Sequence, residues 1–230
     1  MNVYFIIVST IINICLIIII SVPIYKTISY KIGLNDRRPR DDEWAIRAWG
    51  KSLSMTVDSC DIVFLGDSFT YQGNFAEYFP TSKVVCLGYP GDDLLGVAYR
   101  TEHLSTIKPH KVFIMVGVNG SKFLSLKAFE RRYSFMLDSA IKNAPNSNIY
   151  VQSLLPHRNF KKEYAPNIKI KKMNEIIKNL CFKKGLVYIN LYDLYLKGDE
   201  IDKVVTKDGI HLVQQAYVRW INEIKQYIEL

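Results

Sequence analysis

Cysteine is scarce in this chain of 230 residues, and its spacing argues against two classes of protein. Of the four cysteines, Cys15 lies in an apolar N-terminal stretch, whereas Cys60, Cys86 and Cys181 stand singly and far apart. Zinc sites need cysteines or histidines at short, fixed spacings, and a disulfide framework needs an even number of partners. The spacing therefore predicts no metal site, and it fits a chain that works in a reducing compartment.

Motifs that bind nucleotides or nucleic acids are also missing. The sequence contains neither the lysine-bearing P-loop pattern nor Gly-x-Gly-x-x-Gly. Its 30 basic residues exceed its 22 acidic residues, which gives a net charge of +8. These basic residues are not interleaved with aromatic residues as on a nucleic-acid-binding surface. We expect no cofactor and no nucleic-acid partner.

Charged residues are absent from residues 3–22, which are nearly all Ile, Val, Leu or Phe. A helix of this length spans about 30 Å, the thickness of a bilayer core. A cleaved signal peptide is the alternative, but it would carry basic residues before a shorter apolar core, and only Met1 and Asn2 precede this one. The sequence therefore predicts a single-pass transmembrane anchor over residues 1–25.

A basic linker follows the predicted anchor over residues 26–42. Basic clusters beside a membrane segment are attracted to anionic lipid and tend to stay on the cytoplasmic side. We therefore expect the remaining domain, residues 43–230, to lie in the cytoplasm. The basic residues of the linker are Lys26, Lys31, Arg37, Arg38 and Arg40.

Apolar runs of strand length alternate with helical patterns through the rest of the chain. An amphipathic helix is predicted over 41–55, before the first run. Buried strands that alternate with helices favour a parallel sheet covered on both faces, which is a three-layer α/β/α sandwich. The five predicted strands cover 62–65, 84–87, 112–116, 149–154 and 186–189, and the later helices cover 93–107, 126–143, 168–183 and 212–228.

Glycine-bearing turns follow the first three predicted strands and carry polar groups. Ser68 stands in the first turn, Gly91 in the second and Asn119 in the third. The carboxyl ends of parallel strands meet at one edge of a sheet, where ligands bind. A hydroxyl, a backbone N–H and a carboxamide would therefore face one small volume.

An acid and a histidine stand close together just before the last predicted helix. Asp208 precedes His211 by three residues, so one turn can hold the carboxylate against the imidazole. The carboxylate would fix the ring tautomer and leave the other nitrogen to act as a base toward Ser68. His103 and His110 have no such partner and are expected to be surface or capping residues.

These motifs resemble the four sequence blocks of the SGNH, or GDSL, hydrolase family of esterases and lipases. The blocks correspond to Gly66-Asp67-Ser68-Phe69, Gly88 to Gly91, Gly117-Val118-Asn119 and Asp208-Gly209-Ile210-His211, and the resemblance covers residue 61 to the C-terminus. It implies a flavodoxin-like fold, a catalytic triad and an oxyanion hole. The triad would be Ser68, His211 and Asp208, and the oxyanion donors would be the backbone N–H groups of Ser68 and Gly91 and the side chain of Asn119.

The sequence departs from the family pattern at two positions. Gly120 stands where the third block usually has an aspartate, and Phe69 stands where the first block usually has a leucine. The first departure bears on the rigidity of the loop more than on its chemistry. An ordinary α/β-hydrolase is the nearest alternative, but it should have Gly-x-Ser-x-Gly, and Thr70 occupies the place of the second glycine.

The resemblance implies an esterase that removes a small acyl group, such as acetyl, from a glycan or lipid. The first alternative is a membrane-tethered O-acyltransferase that modifies a cell-envelope polysaccharide with the same triad. The second is an inactive, membrane-tethered binding module, which the complete Ser68, Asp208 and His211 set disfavours. Candidates for substrate contact are Tyr71, Tyr89, His157 and Arg158.

Overall fold

The structure of the chain is a computed structural model that describes residues 8–17, 19–21, 24 and 59–228. Residues 8–17 and 19–21 are helical. Within the described part of the chain, no helix is both long and apolar enough to cross a membrane. The predicted anchor extends beyond these residues and stays a prediction, and the predicted linker and the helix over 41–55 lie outside them.

Five parallel strands form one sheet, as the sequence predicts. The sheet order is β2-β1-β3-β4-β5, so the chain begins near one edge, adds β2 outside β1 and then builds toward the other edge. Each strand begins or ends within two residues of its predicted bounds. The strands are β1 (Ile62–Gly66), β2 (Val84–Gly88), β3 (Lys111–Met115), β4 (Asn148–Gln152) and β5 (Val187–Ile189).

The longer helices also follow the predicted pattern, with one division. The predicted helix over 93–107 is two helices that meet at Thr101, where the Leu104 N–H bonds the Thr101 carbonyl at 3.0 Å and tightens the turn. The helices are α1 (Ser68–Tyr71), α2 (Phe75–Tyr78), α3 (Leu94–Arg100), α4 (Glu102–Ile107), α5 (Leu126–Asn143), α6 (Asn167–Lys184), α7 (Tyr192–Tyr195) and α8 (Gln214–Lys225). A small antiparallel hairpin, β6 (Leu196–Lys197) and β7 (Glu200–Ile201), follows α7.

Side chains alternate between the two faces of the sheet and divide the apolar core in two. Val63 and Leu65 of β1 belong to the cluster that packs against α3, α4, α5 and α6. Ile62 and Phe64 belong to the other cluster, which includes residues of α2, α7 and α8. The sheet is therefore the middle of three layers.

An aromatic row crosses the sheet on the α8 side. Phe64 stacks on Phe113 with ring centroids 5.1 Å apart, and Phe113 stacks on Tyr150 at 4.7 Å. Phe75 of α2 covers Phe64 at 3.8 Å, and Tyr227 contacts Tyr150 at 5.3 Å. Each aromatic pair adds about 0.5–1.5 kcal/mol beyond its buried area. The row fixes α2 and the C-terminal segment to the sheet.

Candidate active site

Ser68 is the first residue of α1 and follows β1 with one residue between them. The preceding residue, Asp67, caps this helical turn, because its Oδ1 accepts the N–H of Phe69 at 3.1 Å. The N–H of Tyr71 bonds the Asp67 carbonyl at 3.0 Å and closes the turn. Ser68 is 8% exposed, so its hydroxyl is held on a fixed turn at the carboxyl end of β1.

The loop before α8 brings Asp208 and His211 against Ser68. Asp208 Oδ2 lies 2.7 Å from His211 Nδ1, and His211 Nε2 lies 3.1 Å from Ser68 Oγ. A carboxylate can only accept, so the proton of a neutral ring lies on Nδ1 and Nε2 is left to accept the serine O–H. The three side chains form one line of hydrogen bonds, in the order that the sequence predicts.

Asp208 is held in its charged form by its donors. Its Oδ1 accepts the backbone N–H of Ile210 at 3.0 Å and that of His211 at 2.8 Å. Partial burial acts to raise the pKa of the Asp208 carboxyl, but the hydrogen bonds from the His211 ring and from these two N–H groups outweigh it and lower the pKa to about 2. A charged carboxylate is therefore always present beside the imidazole near neutral pH.

Gly209 lets the loop turn tightly between the acid and the base. Its φ of 90° lies in the region that L-residues rarely adopt. A Cβ there would also come within 3.1 Å of the Arg158 side chain. Arg158 supports this loop. Its backbone N–H donates to the Gly209 carbonyl at 2.8 Å, and its guanidinium pairs with Glu200 at 3.0 Å.

Asn119 and Gly91 lie on two loops that are joined to each other. The Asn119 side-chain amide donates to the Asp92 carbonyl at 2.9 Å, next to Gly91. A carboxamide has two N–H groups, and this bond uses one of them. The arrangement is compatible with a second bond from Asn119 to a substrate oxygen.

A buried ion pair, which was not predicted from the sequence, lies beneath the Gly91 turn. Arg100 and Asp92 are 1% and 0% exposed, and Arg100 Nη2 lies 2.5 Å from Asp92 Oδ2. The same Nη2 donates to the Gly66 carbonyl at 2.8 Å, and Nη1 donates to the Leu87 carbonyl. The pair therefore joins the ends of β1 and β2 to the Gly91 turn. The sequence feature that could have indicated this pair is an arginine within the apolar helical pattern of residues 93–107.

Asp67 is a second buried carboxyl beside the serine. It is 1% exposed, and burial raises its pKa to about 7, with a further increase from the nearby Asp92 charge. The hydrogen bond from Phe69 N–H and the charge of Arg100 act in the opposite direction. Asp67 therefore titrates near neutral pH next to Ser68.

The loop that carries Asn119 is braced by a lysine. Lys169 of α6 donates from Nζ to the carbonyls of Ser121, Lys122 and Leu124 at 2.9, 3.2 and 2.6 Å. Gly120 lies in this loop with φ of 72°. Lys169 thus supplies a rigid attachment for a loop in which glycine replaces the usual aspartate.

The four predicted substrate contacts divide into two groups. Tyr71 is 55% exposed and Tyr89 is half-buried, so both rings have surface available. His157 is 2% exposed, and its two ring nitrogens lie 2.9 and 2.7 Å from the carbonyls of Arg158 and Ala165. The predicted substrate contact of His157 does not fit this position, since no ring nitrogen faces outward, and Arg158 is occupied behind Gly209.

Metal ligands are not gathered anywhere in the described chain. Across residues 8–17, 19–21, 24 and 59–228, no group of three or more His, Cys, Asp or Glu side chains is placed to hold a metal ion. The line of Ser68, His211 and Asp208 can carry out nucleophilic acyl transfer with its own groups.

Solved structures share this fold over most of the chain. A provisionally assigned platelet activating factor of Streptococcus pneumoniae has a TM-score of 0.74 at 22% identity, covering 81% of this chain and 92% of its own. A GDSL-like lipase of Bacteroides thetaiotaomicron has a TM-score of 0.68 at 20% identity, with 82% and 97% covered. An acetyl xylan esterase has a TM-score of 0.61 at 20% identity, with 73% and 98% covered.

Sequence comparisons give the family. No protein of curated function matches the chain significantly. The model of the GDSL-like lipase/acylhydrolase family matches residues 64–219, which hold Ser68, Gly91, Asn119, Asp208 and His211. The match covers more than half of the chain, and the blocks that suggested the family lie within it. The chain belongs to the GDSL-like lipase/acylhydrolase family.

Proposed function

We propose that this protein is a serine esterase that cleaves a small acyl ester through an acyl-Ser68 intermediate. The observation that carries the proposal is the line of hydrogen bonds from Ser68 Oγ to His211 Nε2 and from His211 Nδ1 to Asp208 Oδ2. Membership of an acylhydrolase family supports the same reaction class.

Ser68 acts as the nucleophile in the first half of the reaction. Its Oγ forms a bond to the ester carbonyl carbon while His211 Nε2 takes the hydroxyl proton. Asp208 stabilises the imidazolium that results. The bond from the carbonyl carbon to the alkoxy oxygen then breaks, and that oxygen leaves as an alcohol with the proton from His211.

The charge that develops on the carbonyl oxygen is stabilised by three donors. We assign these to the backbone N–H groups of Ser68 and Gly91 and to the second N–H of the Asn119 amide. Their loops are held by the bond from Asn119 to Asp92 and by the pair of Arg100 with Asp92. Donors that are fixed before the reaction need no rearrangement when the charge forms, which makes them effective.

Water completes the cycle in the second half. It attacks the acyl-Ser68 carbonyl carbon while His211 takes its proton, and Ser68 leaves with that proton as the free acid forms. In the alternative reaction, acyl transfer, the hydroxyl of a cell-envelope sugar replaces water. The family description as acylhydrolase supports water as the second nucleophile.

A short acyl group such as acetyl, carried by a glycan or lipid, is the proposed substrate. One protein of the same fold is described as an acetyl xylan esterase, which supports an acetyl ester on a carbohydrate. Full turnover assays on acetyl, butyryl and octanoyl esters of one alcohol would test the acyl length. A preference for octanoyl would contradict the proposal.

A fluorophosphonate tests the assignment of Ser68. We expect it to label the full-length protein at Ser68 and not to label Ser68→Ala. The control is Ser105→Ala, which removes an exposed serine whose hydroxyl bonds the Glu102 carbonyl at 2.7 Å and which should label normally. Equal labelling of Ser68→Ala would remove the basis of the proposed mechanism.

The membrane attachment of this esterase is a separate proposal that rests on the sequence. The uncharged residues 3–22 would anchor the protein, and the basic linker 26–42 would keep the domain on the cytoplasmic side. The protein should remain with the membrane after an alkaline carbonate wash. Labelling of an engineered surface cysteine by an impermeant thiol reagent in whole cells would contradict the cytoplasmic side.

A further inference from the structure

A polar cleft of about 550 Å³ lies between the two segments that carry Ser68 and His211. One side is the end of α1 and the turn after it, with Tyr71, Gln72 and Asn74. The other side is the segment around the start of α8, with Lys207 and Gln214. Tyr71 is one helical turn after Ser68, and Gln214 follows His211 by three residues. Leu212, which follows His211 directly, also lines the cleft, whereas Ser68 and His211 do not, so the cleft lies beside the segment that carries the base.

The groups that line the cleft favour hydroxyl-rich ligands. Gln72, Asn74 and Gln214 each carry an amide that donates and accepts hydrogen bonds. Lys207 Nζ donates to Gln72 Oε1 at 2.9 Å, and this bond does not use the Gln72 NH₂ group. None of the described residues that line the cleft carries a carboxylate. Such a surface suits sugar hydroxyls better than an alkyl chain.

Tyr71 supplies an aromatic face beside these amides. The residue is 55% exposed although it lines the cleft, so part of its surface is available for contact with a ligand. Tyr217 forms the buried floor, and its hydroxyl donates to the Phe69 carbonyl at 2.9 Å. An exposed ring next to amides matches the two surfaces of a pyranose, which has an apolar face and an equatorial belt of hydroxyls.

The position of His211 indicates which part of an ester would enter the cleft. The leaving alkoxy oxygen must take its proton from His211 Nε2, so the alcohol part leaves on the side of the histidine. We infer that the cleft binds a carbohydrate as the alcohol part of the substrate, with the sugar ring on Tyr71 and its hydroxyls on the amides of Gln72, Asn74 and Gln214. This inference rests on the proposed esterase function, in which His211 gives its proton to the leaving alcohol.

Binding to a protein that cannot turn over tests the cleft apart from the chemistry. The probe is methyl 6-O-acetyl-glucopyranoside, and saturation-transfer NMR with full-length Ser68→Ala reports its contacts. We expect the sugar ring protons to receive saturation, and the signal to fall about threefold to tenfold when Tyr71→Ala is added, as the loss of one aromatic contact would give. Tyr71→Phe should retain the signal.

Phe182→Ala is the matched control, since it removes an aromatic ring that is 86% exposed on α6. It should leave the saturation signal unchanged. Equal signals with and without Tyr71, or no sugar binding at all, would overturn the inference.

Kinetics separate failure of the cleft from failure of the proposed function. With wild-type protein, kcat/KM for the acetyl sugar should exceed that for hexadecyl acetate in mixed micelles, and Tyr71→Ala should reduce this ratio mainly through KM for the sugar ester. A preference for hexadecyl acetate would overturn the carbohydrate assignment and favour a lipid alcohol. If 4-nitrophenyl acetate is not hydrolysed at all, the esterase proposal fails, and the NMR result still decides what the cleft binds.

Discussion

The side-chain amide of Asn119 bonds the main-chain carbonyl of Asp92 at 2.9 Å and so joins two loops that leave the sheet after different strands. Gly91 stands next to the acceptor, and Arg100 holds Asp92 from below. Two of the three loops that carry the proposed oxyanion donors are therefore linked by a direct hydrogen bond. This connection makes Asn119 both a donor candidate and a support for the other donor.

Removal of the Asn119 amide should act on the transition state. We expect Asn119→Ala to lower kcat by about 100-fold or more at little changed KM, because one oxyanion donor is lost and the Gly91 turn is loosened. Steady-state kinetics on 4-nitrophenyl acetate would measure the split. An effect confined to KM would assign Asn119 to substrate binding instead.

The buried ion pair should contribute strongly to folding. Arg100→Met leaves the Asp92 carboxylate buried without its partner and should lower the free energy of unfolding by about 3–5 kcal/mol. Urea unfolding would measure this change. The control is Lys161→Met, which breaks a surface pair with Glu163 at 3.6 Å and should cost less than about 1 kcal/mol. Similar losses in the two variants would mean that the buried Arg100 pair contributes no more to the free energy of unfolding than a surface pair does.

Asp67 should give the stability a pH dependence in the range from about 4 to 7. Burial raises its pKa from 3.8 to about 7 in the folded protein. Its contribution to stability is therefore fully present below pH 3.8 and is lost as the pH rises through about 7, because the unfolded carboxyl ionises first. The advantage of wild type over Asp67→Asn should shrink across this range by an amount on the order of a few kcal/mol.

Urea unfolding at several pH values would measure the Asp67 effect. Asparagine keeps the cap on α1 but cannot ionise, so the comparison isolates the charge. Glu163→Gln changes an exposed acid and should show no such trend. A difference between wild type and Asp67→Asn that stays constant with pH would contradict the raised pKa.

Gly120 should resist replacement by the residue usual in the family. Its φ of 72° is strained for an L-residue, so Gly120→Asp should lower the free energy of unfolding by about 1–2 kcal/mol. Gly120→Ala should cost at least as much, since alanine lacks the short polar side chain with which aspartate and asparagine tolerate this region. Thermal and urea unfolding would rank the variants. An unchanged or higher stability of Gly120→Asp would show that the loop adapts to aspartate.

The sequence predicted the sheet because its strands are short apolar runs bounded by turns. Residues 62–65 and 84–87 were predicted as strands from their continuous apolar runs, because a strand that is covered on both faces needs apolar side chains at every position. The division at Thr101 was missed because the apolar pattern continues through it. The hairpin after α7 was missed because its strands are two residues each, too short to show a period.

The site was predictable where a role depends on a local pattern. Asp208 and His211 are three residues apart, and Ser68 follows a strand directly. Lys169 was missed because its partners lie far away in the sequence, with Ser121 48 residues before it. Arg100 was missed because it joins Asp92, eight residues before it, to Gly66, 34 residues before it. His157 was misjudged because the sequence does not show its burial: its ring is 2% exposed, and its nitrogens lie against the carbonyls of Arg158 and Ala165, one and eight residues away.

The distance along the chain between Ser68 and His211 bears on when reactivity arises. The two residues are 143 positions apart, and they meet only when the segment before α8 has docked on the sheet. A growing polypeptide would carry the serine long before it carried the base. Its hydroxyl would therefore stay unreactive during synthesis and early folding. Labelling by a phosphonate would mark only the completed domain, so the time course of labelling would report how fast the domain folds.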